Sequence, residues 1–196
     1  MKGLSISDST NSLDAVGEIP IEAPEARRWS VPPNKKYSNS QPLWHLILLD
    51  FITFGLYFFY WSYTNWKHLK EYKKLDINPG KKTLFLLIPI FGFALVWGQF
   101  VAFRDFSREA GARISFNPNW VMAGFLVFNI SFKLPDPYWL LGFLIVVPIA
   151  LVQRSLNSAW AQVEPGLRVR KLPTIGDILT VIVSWIVIGI LGFILG

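Results

Sequence analysis

Cysteine is absent from this 196-residue chain, and histidine nearly so, with only His45 and His68. The first absence removes disulfide frameworks, thiolate metal sites and cysteine nucleophiles. The second leaves too few imidazoles for a histidine-rich metal centre. No HExxH, GxSxG, GxGxxG or GxxxxGK pattern occurs, so metalloprotease, serine hydrolase, dinucleotide and nucleoside-triphosphatase readings lose their usual support. Charge is scarce as well, at 16% of residues against about a quarter in an ordinary soluble domain. The sequence therefore offers no catalytic residue, no metal site and no cofactor.

Apolar residues make up 52% of the chain and aromatic ones 16%, and the mean hydropathy is +0.38. Five apolar stretches, at 43–63, 84–104, 119–133, 138–153 and 174–196, account for about half of the chain. A helix needs about 20 apolar residues to cross a hydrocarbon core about 30 Å thick. The first, second and fifth stretches meet that length alone, and the third and fourth are short or tilted spans. The expectation is an all-α, polytopic integral membrane protein with three to five transmembrane helices, some of them broken or re-entrant. Residues 43–196 form the membrane domain. Residues 1–42, polar and carrying Pro20, Pro24, Pro32, Pro33 and Pro42, are expected to be a disordered tail. Met1–Thr10 has neither a clustered basic start nor an apolar core, and is not read as a secretory signal.

Three of the stretches continue into amphipathic extensions. After the first, Trp66, Leu69, Tyr72 and Leu75 recur every third residue, with Lys67, Lys70, Lys73 and Lys74 around them, until Asn78-Pro79-Gly80. That pattern predicts a helix lying on the membrane surface, apolar face down and lysines toward the phosphates. The second continues with Phe100, Phe103 and Phe106 to a stop at Gly111, and the fourth with Val152, Leu156, Ala159 and Val163 to Pro165-Gly166. The last two match in layout as a weak internal repeat.

The lysines and arginines leave two topologies open. Five simple crossings place eleven basic residues of the membrane-proximal segments on one side and seven on the other, whereas two re-entrant stretches place 17 on one side and Lys133 alone on the other. Thr53-Phe54-Gly55 and Pro89 with Gly92 are the breakers at which a helix could be interrupted.

The run Thr53-Phe54-Gly55-Leu56-Tyr57, continued by Tyr60-Trp61 and an aromatic-basic helix, resembles the signature of a bacterial membrane family known as domain-of-unknown-function family 4234. The resemblance covers about residues 43–110. It implies a bacterial membrane location and no activity.

Asp50 stands out, since an acid within an apolar stretch costs about 2.5 to 3.5 kcal/mol on the lenient insertion scale. With His45, Gln99 and Asn129 it forms a candidate intramembrane polar site, read either as a proton or ion site or as a cap for the helix after Thr53. Lys67, Lys70, Lys73, Lys74, Arg104, Arg108 and Arg154 are candidate lipid-headgroup contacts. The net charge of +6 sits in short runs beside apolar stretches, which points to anionic lipid headgroups rather than nucleic acid. Protein partners and a homo-oligomer stay open. Thr174-Ile175-Gly176-Asp177 resembles a capping box that starts the last helix. The functional expectation is a non-enzymatic organising or accessory component at the lipid surface of the bacterial cytoplasmic (inner) membrane, with the basic loops cytoplasmic. The rival is a small transporter or channel subunit that uses Asp50.

Overall fold

The structure, a computed structural model, describes residues 31–195, apart from the side chains at 89, 90 and 195. The expected tail over 1–30 lies outside the described residues. Among the described residues all regular structure is helical: α1 Leu43–Ile52, α2 Tyr57–Lys73, α3 Pro79–Leu84, α4 Pro89–Glu109, α5 Pro118–Ser131, α6 Val146–Val163 and α7 Ile175–Leu195. Short 3-10 segments, Phe85–Leu87 and Tyr138–Ile145, lead toward α4 and directly into α6.

The first apolar stretch is broken where its sequence carries Thr53-Phe54-Gly55. Phe54 and Gly55 take left-handed conformations, with φ of 52° and 84°, and the chain turns. A turn frees backbone groups at the end of one helix and the start of the next. The buried Thr53 hydroxyl serves both: it donates to Leu49 O at 2.8 Å and accepts from Tyr57 N at 2.9 Å. Phe54, at the tip of the turn, packs its ring edge-on to Trp185, ten residues and so about 15 Å along α7. Both arms then meet the beginning of α7. Gln41 Nε2, just before α1, donates to Tyr57 Oη, which donates to Asp177 Oδ1. The stretch is a hairpin whose two ends lie at one end of α7.

Beyond the hairpin, α2, α4 and α6 run parallel, as their successive contacts show. Trp61 Nε1 donates to Gln153 Oε1 at 2.6 Å, and the Trp61 ring meets Phe103 edge-on. Farther along, Tyr72 packs on Phe106 and Phe106 on Trp160. Leu69, Phe100, Phe103, Phe106, Val152, Leu156 and Ala159 are buried here. The three amphipathic extensions, expected to lie along the membrane surface, instead cover one another. Three apolar stripes at helical spacing, two of them rich in aromatics, exclude water more completely against each other than against a headgroup layer, where each would stay half wet.

The second stretch is also interrupted. Ile88 is extended, and α4 starts at Pro89. A Cβ at Gly92 would collide with the Leu86 carbonyl oxygen, so the segment leading in lies tight against the first turn of α4. α5 and the 138–163 segment form an antiparallel hairpin, with Gly124 facing Pro148 and Phe132 against Phe143 and Gly142. Among the described residues two helices are long and apolar enough to cross a membrane, Tyr138–Val163 and Ile175–Ile194. Two ends anticipated from sequence carry left-handed glycines, Gly111 and Gly166. The capping box forms as expected: Thr174 N donates to Asp177 Oδ2 and Asp177 N to Thr174 Oγ1.

Gly55 faces open space but holds a positive φ, so a Cβ there strains backbone without any clash. Gly55→Ala is expected to destabilise the protein by about 1 kcal/mol, read as a lower thermal midpoint in detergent. Gly189→Ala, on helical backbone with nothing near it, should leave the midpoint unchanged or raise it. Equal effects at the two positions would show that the hairpin turn is not under backbone constraint.

Candidate functional site

Residues 31–42, assigned to the tail from their composition, are instead held against the body as a strap. Its anchor is Glu164, whose side chain is fully buried. Glu164 accepts from Lys35 Nζ at 2.6 Å, from Asn39 N at 2.8 Å and from Asn39 Nδ2 at 3.1 Å. Asn157 adds a reciprocal pair with the Gln41 backbone: Gln41 N donates to its Oδ1, and its Nδ2 donates to Gln41 O. Tyr37 bridges Arg168, and the Arg170 guanidinium lies 4.8 Å from the centroid of the Tyr37 ring. A buried carboxylate persists where it is paired and its lone pairs are filled, and Glu164 satisfies both conditions.

Between the strap, the outer flank of α2 and the segment 170–177 lies an open cleft of about 770 Å³. Tyr57, Tyr60, Trp61 and Tyr63 line it beside His45, His68, Gln153 and Asp177, and Lys35, Lys36, Lys67 and Arg170 supply its cations. Asp177 is fully engaged by Tyr57 Oη, Thr174 N and Thr174 Oγ1. Its Oδ2 stands 4.0 Å from His45 Nε2, too far for a hydrogen bond. Two buried ring nitrogens in the cleft's lining, His45 Nε2 and His68 Nδ1, have no hydrogen-bond partner among the described residues. Burial, helped by the charges of Lys35 and Lys67, lowers the His68 pKa to about 4, which keeps that ring neutral near pH 7.

The intramembrane polar site expected around Asp50 is not assembled. Asp50 is 4% exposed, and its Oδ1 has no hydrogen-bond partner among the described residues. It lies outside the cleft's lining. His45 faces Asp177 instead. Gln99 Oε1 accepts from Ser62 Oγ at 2.6 Å and from Trp66 Nε1 at 3.0 Å, inside the three-helix bundle. Asn129 is only partly buried on α5 and joins none of these groups. Of the four, Gln99 is bound within the bundle and His45 faces Asp177, while Asp50 and Asn129 join neither.

The basic residues separate too. Lys67 lines the large cleft. Lys73 pairs with Glu109 at 2.7 Å, while Lys70 is half-buried and Lys74 exposed. Arg104 pairs with its neighbour Asp105 at 2.7 Å, and with Arg108 it lines a second hollow of about 370 Å³ against Ser115–Asn119. Arg154 is exposed and borders neither hollow. Among the described residues no three of His, Asp and Glu stand close enough together to hold a metal ion. Sequence reasoning missed Glu164, Lys35, Asn39 and Asn157. The single available signal was an acid directly before the helix-ending Pro165-Gly166.

Among the described residues these features define an all-helical fold with two helices of membrane-spanning length and a polar, cation-lined cleft beside the start of α7. Residues 41–135 match the family described as Domain of unknown function (DUF4234). The resemblance carried by Thr53–Trp61 is thereby supported, and the match reaches past residue 110 to take in α5, leaving α6 and α7 outside it. No curated protein and no solved structure matched the chain.

Replacing the strap's anchor gives a direct check. Glu164→Gln removes a charge that accepts three hydrogen bonds, for an expected loss of about 2 kcal/mol. Trypsin should then cut after Lys35 or Lys36 several times faster than in the parent protein, while helix content stays the same. An unchanged cleavage rate would mean that Glu164 does not hold the strap.

Proposed function

We propose that the protein is a polytopic membrane protein of the bacterial cytoplasmic (inner) membrane, a non-enzymatic organising or accessory component that works at the lipid surface with its basic segments on the cytoplasmic side. The observation that carries this reading is where exposed large apolar side chains stop. Among the described residues, α2 has none beyond Tyr63, α4 none beyond Trp97 and α6 none beyond Leu151. On the other side of that level, α1, the segment 84–91, α5, the segment 138–147 and the whole of α7 carry them in number. Such a boundary suits the edge of a hydrocarbon layer, with Tyr63 and Trp97 as an aromatic belt.

In this reading α5, the 138–163 segment and α7 cross the bilayer, while α1 with the start of α2, and the residues before Pro89 with the start of α4, dip in and return. The parallel course of α2, α4 and α6 favours it, because the basic residues in or just after their last turns then share one face and, among the described residues, Lys133 alone lies opposite. The lipid surface meets the free cations of that face, Lys67, Lys74 and Arg108 among them, each contributing about 1 kcal/mol of attraction to an anionic leaflet. Lys70 and Arg154 border the same level; Lys73 and Arg104 reach it already paired with acids.

Because the chain has no cysteine, single cysteines can be labelled without background. Glu71→Cys, Glu109→Cys and Gln162→Cys are expected to react with a membrane-impermeant maleimide from one face of oriented vesicles, and Asp136→Cys from the other. Labelling of Glu71→Cys and Gln162→Cys from opposite faces would restore five simple crossings.

The second reading, a small transporter or channel subunit built on Asp50, rests on the buried Oδ1 without a partner. Asp50 is closed against helix packing and absent from the cleft's lining, which favours the first reading. Asp50→Asn is expected to hold or raise stability, by up to about 1 kcal/mol, since it removes a buried ionisable group without changing its shape. The measurement pairs thermal unfolding with proton flux in reconstituted vesicles. Loss of a pH-dependent flux in Asp50→Asn would establish the transporter reading instead.

A further inference from the structure

The strap cleft has properties that a general basic surface lacks. It is enclosed on three sides, by residues 34–42, by the outer flank of α2 and by the segment 170–177. Its volume of about 770 Å³ falls in the range of small-ligand sites, about 300 to 1,000 Å³. Of its four cations, Lys35 is committed to Glu164. Lys36, Lys67 and Arg170 are exposed, and no acid pairs with them among the described residues. The cleft's own carboxylate, Asp177, is filled by three hydrogen bonds and cannot neutralise them.

Two further observations indicate what the cleft accepts. His45, 4% exposed, presents in the lining a buried Nε2 with no hydrogen-bond partner. A buried polar atom of this kind carries a cost that a ligand acceptor or donor would relieve. The lip of the cleft is apolar: Leu172 and Ile175 are 76% and 78% exposed and lead onto the outward face of α7, where Ile178, Leu179 and Ile182 are exposed in turn. Positive charge inside and a continuous apolar track outside are the two halves of a receptor for an anionic amphiphile.

We propose that this cleft is a saturable binding site for the phosphodiester headgroup of an anionic phospholipid, with Lys36, Lys67 and Arg170 meeting the phosphate and the acyl chains lying along Leu172, Ile175 and α7. The inference rests on the lipid-surface reading above and narrows it from a diffuse attraction to one site. Arg170 supplies a planar fork matched to phosphate oxygens, and the lysines supply mobile point charges. A free phosphate monoester shares the headgroup's chemistry but has no use for the apolar lip.

The test uses the full chain in detergent micelles, with binding followed by native mass spectrometry and by thermal shift. The probes are phosphatidylglycerol, phosphatidylcholine and glycerol 3-phosphate. One variant carries Lys36→Gln, Lys67→Gln and Arg170→Gln, and a control of equal charge loss carries Lys70→Gln, Lys74→Gln and Lys81→Gln, all outside the cleft. Phosphatidylglycerol is expected to bind saturably and in preference to phosphatidylcholine. The cleft variant should weaken it at least about tenfold and the control less than about twofold. Lys36→Gln alone, at an exposed strap position that leaves the packing untouched, should weaken it about threefold. Equal weakening by both triple variants would overturn the single site and leave the lipid-surface reading standing. No preference for phosphatidylglycerol in the parent protein would overturn both. Glycerol 3-phosphate binding as tightly as the lipid would assign the cleft to a soluble phosphate and overturn the lipid proposal.

Discussion

One hydroxyl group sets the course of the chain. Thr53 closes α1 by donating to Leu49 O and opens α2 by accepting from Tyr57 N, so the backbone reverses inside an apolar surrounding without stranding its polar groups. In such a place a missing hydrogen bond has no water to replace it. A hydrocarbon side chain of similar bulk would take the acceptor from Tyr57 N and leave Leu49 O with the Thr53 backbone amide alone. The reversal brings Tyr57 back to Gln41 and Asp177, aims α2 outward beside α4 and α6, and so provides the wall on which the strap and its cleft are built.

The bundle that follows is held in register by a few amides among many rings. Aromatic faces pack tolerantly, at several offsets and angles. The indole nitrogens of Trp61 and Trp66 are more exacting, since each must find an acceptor when buried. Gln153 and Gln99 supply those acceptors, one on α6 and one on α4. A shift of α2 by one turn along either partner would break these bonds while leaving the apolar contact much as it was. The amides therefore choose one alignment among several that the rings alone would accept.

Local chemistry was legible in the sequence and long-range partnership was not. The break at Thr53-Phe54-Gly55, the stops at Gly111 and Gly166 and the capping box at Thr174 and Asp177 each depend on residues within a few positions of one another, and each stands where the sequence places it. The stripe of Trp66, Leu69 and Tyr72 reads from the sequence as an apolar face, but periodicity says which side of a helix is apolar, not what covers it. Phe103, Phe106 and Trp160 cover it, where a lipid surface was expected. The strap was illegible for a related reason. Lys35 meets a carboxylate 129 positions away, and nothing in a polar, proline-rich segment announces a distant buried acid. Asp50 is visible in the sequence as an acid in an apolar stretch, but its expected neighbours His45 and Gln99 face Asp177, Ser62 and Trp66 instead.

Parallel packing of α2, α4 and α6 brings three helix carbonyl ends together at one level, and their backbone dipoles add where antiparallel helices would cancel. Each end behaves as roughly half a negative charge. Two of the helices answer this from their own sequence, α2 with Lys70 and Lys73 and α4 with Arg108 in the last turn. α6 has no basic residue there. The strap brings one in from outside: Lys35 sits against Glu164 and 5.9 Å from the Trp160 ring centroid, at the carbonyl end of α6. The segment that frames the cleft thus also neutralises the carboxylate that stands at the carbonyl end of a helix far along the chain, and detaching it would leave that negative charge unopposed there as well as open the cleft.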